Sequence, residues 1–466
     1  MGLILLNKEG GFDRGKKKMT NDLTSGSVLK NMLRFSLPYL LSFFLQTLYG
    51  MADLFIIGQF DEVAATTAVS VGSQIMHMLT VMIVGLAMGA TVTIGRYVGA
   101  KDGKSVSKSI GNTVTLFIGL SLVLTVILLI CNGGIVSVMQ TPAEAVDGTK
   151  AYLTVCFIGI PFITAYNIIS SIFRGLGDSK SPMYFIAVAC AANIGLDYLF
   201  IGAFSLGPVG AALGTTVSQA ISVVISLVFI LKKKTEFSLE KEDFRLKKKN
   251  TGEILKIGIP VCFQDGFIQI SFIIITVIAN LRGLTDAAAV GIVEKIIGFV
   301  FLVPSSLLST VSAFGAQNIG ANLCDRAKLS LKYAIIIATG FGLCMSVLVQ
   351  FIAEPLVGLF TPDAAVAAAG GPYLRGYIFD CLLAGIHFSF SGYFCACGRS
   401  GLSFMHNFLS IVLVRIPGAY LASKYFPNTL LPMGLASAAG SLLSIIICVA
   451  AFAVISRRGG RAVQGA

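Results

Sequence analysis

Two carboxylates lie where only apolar side chains are expected. Asp53 falls inside the run from Leu37 to Gly58, and Asp197 inside ANIGLDYLF. An ionised carboxylate in hydrocarbon costs roughly 2.5 to 3.5 kcal/mol even on mild insertion scales, so each is a functional candidate. Gln46 precedes Asp53 by two helical turns and Asn193 precedes Asp197 by four residues, so each amide shares a face with its acid. Pro38, fifteen residues before Asp53, can bend the same helix. Asn167 and Thr215 are further polar candidates for a pocket in this half, or they simply hydrogen-bond between helices. Two carboxylates brought together in a low-dielectric bundle cannot both ionise cheaply, which is what a proton carrier needs.

The second half carries Asp265, Glu294, Lys295, Asp380 and Arg415 inside apolar runs. Glu294 and Lys295 are adjacent and point to different helix faces, so they are not a simple pair. Lys295 is expected to meet Asp265 or Asp380 across a cavity, as a structural ion pair or as a substrate-facing group. Counted together, the spans hold five acids against two bases, and a cavity built from them favours cationic cargo. His77, His387 and His406 show no ligand spacing and read as packing or interfacial residues.

The elements that must position these groups are membrane spans. With 466 residues, 55 % hydrophobic and 12 % charged, the chain is too apolar for a soluble globule. Twelve segments are each long enough for a span of about 20 residues. They run 31 to 59, 64 to 95, 106 to 131, 145 to 173, 182 to 203, 209 to 231, 253 to 281, 287 to 317, 329 to 353, 365 to 394, 402 to 422 and 431 to 456. The fold class is therefore an all-α polytopic membrane protein.

The net charge of +12 resides in short loops and not in a nucleic-acid-binding patch. Of 35 Lys and Arg, four (Lys150, Arg282, Arg375, Lys424) lie on one side of the spans and two (Lys295, Arg415) within them, leaving 29 on the other side. The positive-inside rule then puts both termini in the cytoplasm. Residues 1 to 18 show no signal-peptide pattern, and Met19 opens a second plausible start.

The halves repeat. LRFSLP ending at Pro38 answers LKIGIP ending at Pro260, GRYVGAKD from Gly95 answers AQNIGANL from Ala316, and FRGLGDSKS from Phe173 answers FCACGRSGL from Phe394. An offset of 221 or 222 holds throughout. Six spans per half give two six-helix bundles in one orientation, a parallel repeat of the kind that sets its substrate site between the bundles. The expected divisions are 1–27 (cytoplasmic arm), 28–231 (first bundle), 232–250 (linker), 251–457 (second bundle) and 458–466 (tail).

Other chemistry fails on inspection. GAKDGKS at 99 to 105 is one residue short of a phosphate loop and joins two apolar helices with no preceding strand, so no ATP site is evident and no cofactor is expected. The ten cysteines have neither disulfide nor zinc spacing. Any pumping must draw on an ion gradient.

In order along the chain, QTLYGMAD with its upstream Pro38, GRYVGAKD, FRGLGDSKSP, NIGLDYLF and GPVGAALGT resemble the multidrug and toxic compound extrusion (MATE) transporters over residues 20 to 458. The resemblance, to the proton-coupled prokaryotic branch, implies a coupling network at Gln46, Asp53, Asn167, Asn193, Asp197 and Thr215, and a bend at Pro38 when it is protonated. It implies proton-driven export of organic cations and amphipathic drugs across the plasma membrane by a monomer that is not an enzyme. Sodium at Asp53, Asn193 and Asp197 is the alternative coupling ion. The sodium-coupled branch has a glutamate where this chain has Ile268, and its tenth-span aspartate lies about one turn after Asp380. A lipid-linked oligosaccharide flippase of the same superfamily is the alternative function, disfavoured because anionic pyrophosphates call for a basic cavity.

Overall fold

The computed structural model describes residues 22–232 and 239–464, the last eight of these by backbone alone. The expectations that rest on residues 1–18, on Ser238 and on the side chains of the 457–461 basic cluster lie outside the described residues. Fifteen α-helices follow in order: α1 (Val28–Phe60), α2 (Val63–Gly99), α3 (Gly103–Val138), α4 (Val146–Ile158), α5 (Ile160–Gly175), α6 (Lys180–Asp197), α7 (Gly207–Lys232), α8 (Lys248–Asn280), α9 (Leu284–Val300), α10 (Leu302–Gly320), α11 (Cys324–Gly358), α12 (Ala364–Ala396), α13 (Ser400–Ser410), α14 (Ile416–Tyr425) and α15 (Leu431–Gln464). Among the described residues there is no strand.

Among the described residues, ten helical stretches are long and apolar enough to cross a membrane, or twelve with each of two bent pairs taken as one span. The fourth span breaks by 49° between Ile158 and Ile160, and the eighth by 40° between Val300 and Leu302. At the first break a Cβ on Gly159 would fall 2.5 Å from the Thr216 side chain, so α7 approaches too closely for any larger residue. Each span follows an apolar segment read from the sequence, because in hydrocarbon a helix satisfies its own backbone groups.

The repeat is written in the turns. At the end of α2 the Asp102 amide donates to the Tyr97 carbonyl (3.0 Å) past Lys101 at φ 57°, and at the end of α10 the Leu323 amide donates to the Asn318 carbonyl (2.8 Å) past Asn322 at φ 59°. The same six-to-one closure recurs past Gly177 and Gly398, where φ is 85° and 68°. These left-handed closures stop a helix by giving its last carbonyls a partner, and both pairs are 221 residues apart.

The chain forms two compact units, 1–262 with 316–323, and 263–315 with 324–466. The boundary thus falls inside α8, with the end of α10 returning to the first unit. In the first unit, α1 packs on α6, α2 on α5, and α6 on α7. The end of the linker is fixed to α3: Asn112 Nδ2 donates to the Asp243 carbonyl (2.9 Å) and the Arg245 carbonyl (3.1 Å), and Asn112 Oδ1 accepts from the Lys247 amide (2.7 Å). In the second unit α12 is central, packed against α9, α11 and α15.

Candidate functional site

Three helices of the first unit converge on one polar cluster. Helix α1 carries Asp53, α6 carries Asn193 and Asp197, and α7 carries Thr215. All but Thr215 are almost fully buried, at 3 %, 1 % and 0 % exposure for Asp53, Asn193 and Asp197. Thr215 Oγ1 donates to Asp53 Oδ2 at 3.0 Å. Asn193 and Asp197 adjoin the Asp53 carboxyl.

The closeness depends on a bare α-carbon. A Cβ on Gly214 would fall 2.0 Å from Asp197 Oδ1 and 3.6 Å from Asn193 Nδ2, so the α7 backbone itself forms one wall. Directly after Asp197 the chain leaves α-geometry for a π-helical segment, Tyr198–Ala203. Such widened turns recur at functional sites.

The hydrogen-bond accounting at this cluster closes only within the cluster. Asp53 Oδ1, both side-chain polar atoms of Asn193 and both carboxyl oxygens of Asp197 are buried with no partner outside the cluster, so they can be satisfied only by one another, with Asn193 against Asp53 and a proton shared between the two carboxyls. A buried polar group left unpaired costs about 1 to 3 kcal/mol and more when charged, so two ionised carboxyls facing each other here would be costly. Among the described residues, no cationic side chain acts on Asp197. Two carboxyls, an amide oxygen and a hydroxyl are hard oxygen donors, suited to a shared proton or a small monovalent cation.

Gln46 and Asn167 sit nearby but do not join the cluster. Asn167 Nδ2 donates to the Ile163 carbonyl of its own helix at 2.8 Å, and Gln46 lies beside Tyr166. Pro38 is buried in an unbroken α1, where the Ser42 hydroxyl donates to its carbonyl at 2.8 Å.

In the second unit, Glu294, Asp380 and Arg415 form a different constellation. The Arg415 guanidinium lies 4.7 Å from the Phe272 ring centre and donates to the Tyr377 hydroxyl, with both acids in electrostatic range. Thr276 donates to Glu294 at 3.3 Å, and Ser441 donates to Asp380. The expected partnership of Lys295 with Asp265 or Asp380 is not formed. Lys295 is exposed and, among the described residues, has no hydrogen bond or ion pair. Adjacent positions lie about 100° apart around a helix: the Glu294 face of α9 turns into the bundle, and Lys295 is on an exposed face. Asp265 is also separate from the three, placed beside Gln264 and Cys395.

Set against known proteins, the MatE family model matches residues 38–199 and 260–421, two stretches displaced by 222 residues. The chain belongs to the MATE family. It is a multi-pass membrane transporter and not an enzyme. It is 29% identical over 415 residues to the probable multidrug resistance protein YpnP of Bacillus subtilis, covering 89% of this chain and 93% of the relative. With the multidrug export protein MepA of Staphylococcus aureus it shares 30% identity over 376 residues, 80% of this chain and 82% of the relative. The outward-facing structure of a multidrug resistance MATE family transporter superposes with a TM-score of 0.88 at 20% identity, covering 97% of this chain and all of that one.

Within this MATE chain the sequence reading named four members of the buried cluster but not Gly214, although GPVGAALGT contains it. It also missed the ring around the acids: Tyr49, Tyr152, Cys156 and Cys190 all lie in electrostatic range of Asp53. Their signal was a run of otherwise ordinary apolar helix. Arg174, buried with its guanidinium 4.1 Å from the Tyr39 ring centre, passed as a loop charge.

Proposed function

We propose that this transporter exports organic cations and amphipathic drugs in exchange for protons, with sodium as the alternative coupling ion. The observation that carries the reading is the buried Asp53–Asp197 pair, with Thr215 donating to Asp53 and no base acting on Asp197. Such a pair cannot remain doubly ionised in a dry bundle and takes up a proton or a small cation. The relatives named for multidrug resistance and multidrug export support the cargo class.

Loading the site changes which hydrogen bonds are favourable for Asn193, Asp197 and Thr215. It thereby biases α1, which Pro38 has already deprived of one backbone bond, between two shapes. Cargo and coupling ion then compete through conformation, as alternating access requires. A proton-motive force of about 180 mV supplies roughly 4 kcal/mol per proton, enough for nearly a thousandfold gradient of a neutral cargo at ~1.4 kcal/mol per tenfold.

The test is efflux of a fluorescent cation from liposomes under an imposed pH gradient and, separately, a sodium gradient. Asp53→Asn and Asp197→Asn should fold and still bind the dye but lose gradient-driven efflux. Wild-type rates in both variants would refute the mechanism, and efflux driven by sodium alone would reassign the ion.

A further inference from the structure

An ionisable side chain inside a membrane span ordinarily faces the bundle interior or a water-filled passage, and it is ordinarily paired. Lys295 is not paired. It follows Leu284, the first residue of α9, by about 16 Å of helix, near the middle of a hydrocarbon core of about 30 Å. It is exposed and, among the described residues, has neither hydrogen bond nor ion pair.

The face it occupies is not a lipid face. On α3 the exposed surface includes Ile118, Leu122, Val126 and Ile130, a row of large apolar side chains of the kind that suits lipid. On α9 the exposed residues are Leu284, Thr285, Lys295 and Gly298, so beyond the first residue none is large and apolar. The same is true of α2, where they are Val63, Ser70, Gln74 and His77. At the repeat offset of 221, Val63 answers Leu284, Gln74 answers Lys295 and His77 answers Gly298. Each repeat therefore exposes one narrow polar or small-residue stripe at the same register, and a stripe holding Gln, His or Lys at mid-span belongs against water.

The two stripes differ in charge, since the amide of Gln74 is replaced by the ammonium of Lys295. They differ in relief as well. Gly291 and Gly298, about one turn to either side of Lys295, would each accept a Cβ with nothing within 4 Å. Helix packing does not ask for glycine at either place, although glycine weakens a helix interior relative to alanine. The lysine thus stands over open space on both sides.

We propose that Lys295 sets cargo preference in the second bundle by receiving a carboxylate of the drug, so that this chain favours zwitterionic cargo over the corresponding permanent cation. The proposal rests on the reading of the chain as a drug exporter and narrows the class it exports. An unpaired ammonium on the wall of a passage attracts an anionic group and repels a second cation. The bare positions beside it leave room for the ring system that carries the carboxylate.

The experiment measures binding to full-length purified protein by fluorescence polarisation, using a rhodamine with a free benzoate and the methyl ester of the same dye. The two probes differ only at the group assigned to Lys295. Wild-type protein should bind the acid more tightly than the ester. Lys295→Gln should weaken the acid by roughly tenfold and leave the ester unchanged or tighter, Lys295→Arg should keep the preference, and Lys295→Glu should reverse it. A purely structural role would move both dyes together. An acid affinity unchanged by Lys295→Gln, or an equal loss of both dyes, overturns the proposal. Gly298→Leu has open space for its side chain and should weaken the acid with Lys295 still in place; undiminished affinity there also overturns it, and this arm decides the matter if the Lys295 variants fail to fold. Tight binding of both dyes without preference removes this proposal alone, whereas binding of neither removes the drug-export reading with it.

Discussion

Gly214 has no side chain, and the carboxyl of Asp197 lies where one would begin. An added methyl would have to push the carboxylate off α7 or lift α7 away from α6. Gly214→Ala should therefore destabilise the protein by about 1 to 3 kcal/mol and impair coupled efflux. Gly195→Ala is the matched control on α6: nothing lies within 4 Å of its added Cβ, and alanine favours a helix interior. A lowered melting temperature for Gly214→Ala beside an unchanged or raised one for Gly195→Ala is the expected pair of results. Equal behaviour would mean that the contact is unimportant. The acids of this site were legible from residue type alone, because a charge amid apolar residues is conspicuous. The glycine was not, since its meaning lies in what approaches it. Lys295 was conspicuous for the same reason as the acids, yet type could not say which of two adjacent side chains on α9 turns inward. That needed the Thr276 hydroxyl on Glu294.

Helix positions were readable to within a few residues because apolar length fixes a span, whereas departures from regular helix were not. The π segment after Asp197 has no compositional mark, whereas the one before Ile416 is followed by Pro417 and the bends at Gly159 and Phe301 by Pro161 and Pro304, marks that the continuous apolar runs around them obscured. The lead-in to α1 was also assigned wholly to a cytoplasmic arm, although part of it is built into the fold. Leu23 is buried, its amide donates to Gln317 Oε1 at 3.3 Å, and its carbonyl accepts from Asn318 Nδ2 at 3.3 Å. A chain beginning at Met19 keeps these contacts and should melt and transport as the full chain does. Deleting residues 22–26 as well should cost roughly 1.5 to 3 kcal/mol from the lost leucine burial. Equal melting temperatures for the two truncations would show that the docking contributes nothing.

Across the whole molecule the repeat was the most legible feature, because its turns demand particular backbone and side-chain chemistry at a fixed interval. The 29-to-4 split of basic residues leads to an expectation about sidedness, that a cysteine introduced at Ser238 reacts with membrane-impermeant reagents only from the cytoplasmic side. Labelling from outside intact cells would reverse the orientation. The division into compact units was less legible, since the sequence suggests a cut in the linker. Two glycines explain part of the difference: a Cβ on Gly99 would fall 1.9 Å from the Gln317 carbonyl oxygen, and one on Gly320 would fall 2.0 Å from that of Arg96. These two contacts are the same contact repeated at an offset of 221, and they draw residues 316–323 into the first unit.

That returning piece also imposes an order in time. Synthesis runs from the amino terminus at about 5 to 20 residues per second, and residues 263–315 separate the two parts of the first unit. The ribosome needs roughly 3 to 11 seconds to cross that interval. Throughout it, the contacts of Gly99 with Gln317, of the Arg96 carbonyl with Gly320 and of the Leu23 backbone with Gln317 and Asn318 have yet to form. The Asn112 clamp on Asp243, Arg245 and Lys247 needs nothing made later, so the newborn half can secure its linker while its final seam is still open. Variants at Gly320 or Gln317 would then act late in biogenesis, leaving an inserted half exposed to membrane quality control, even though both residues belong by sequence to the second repeat.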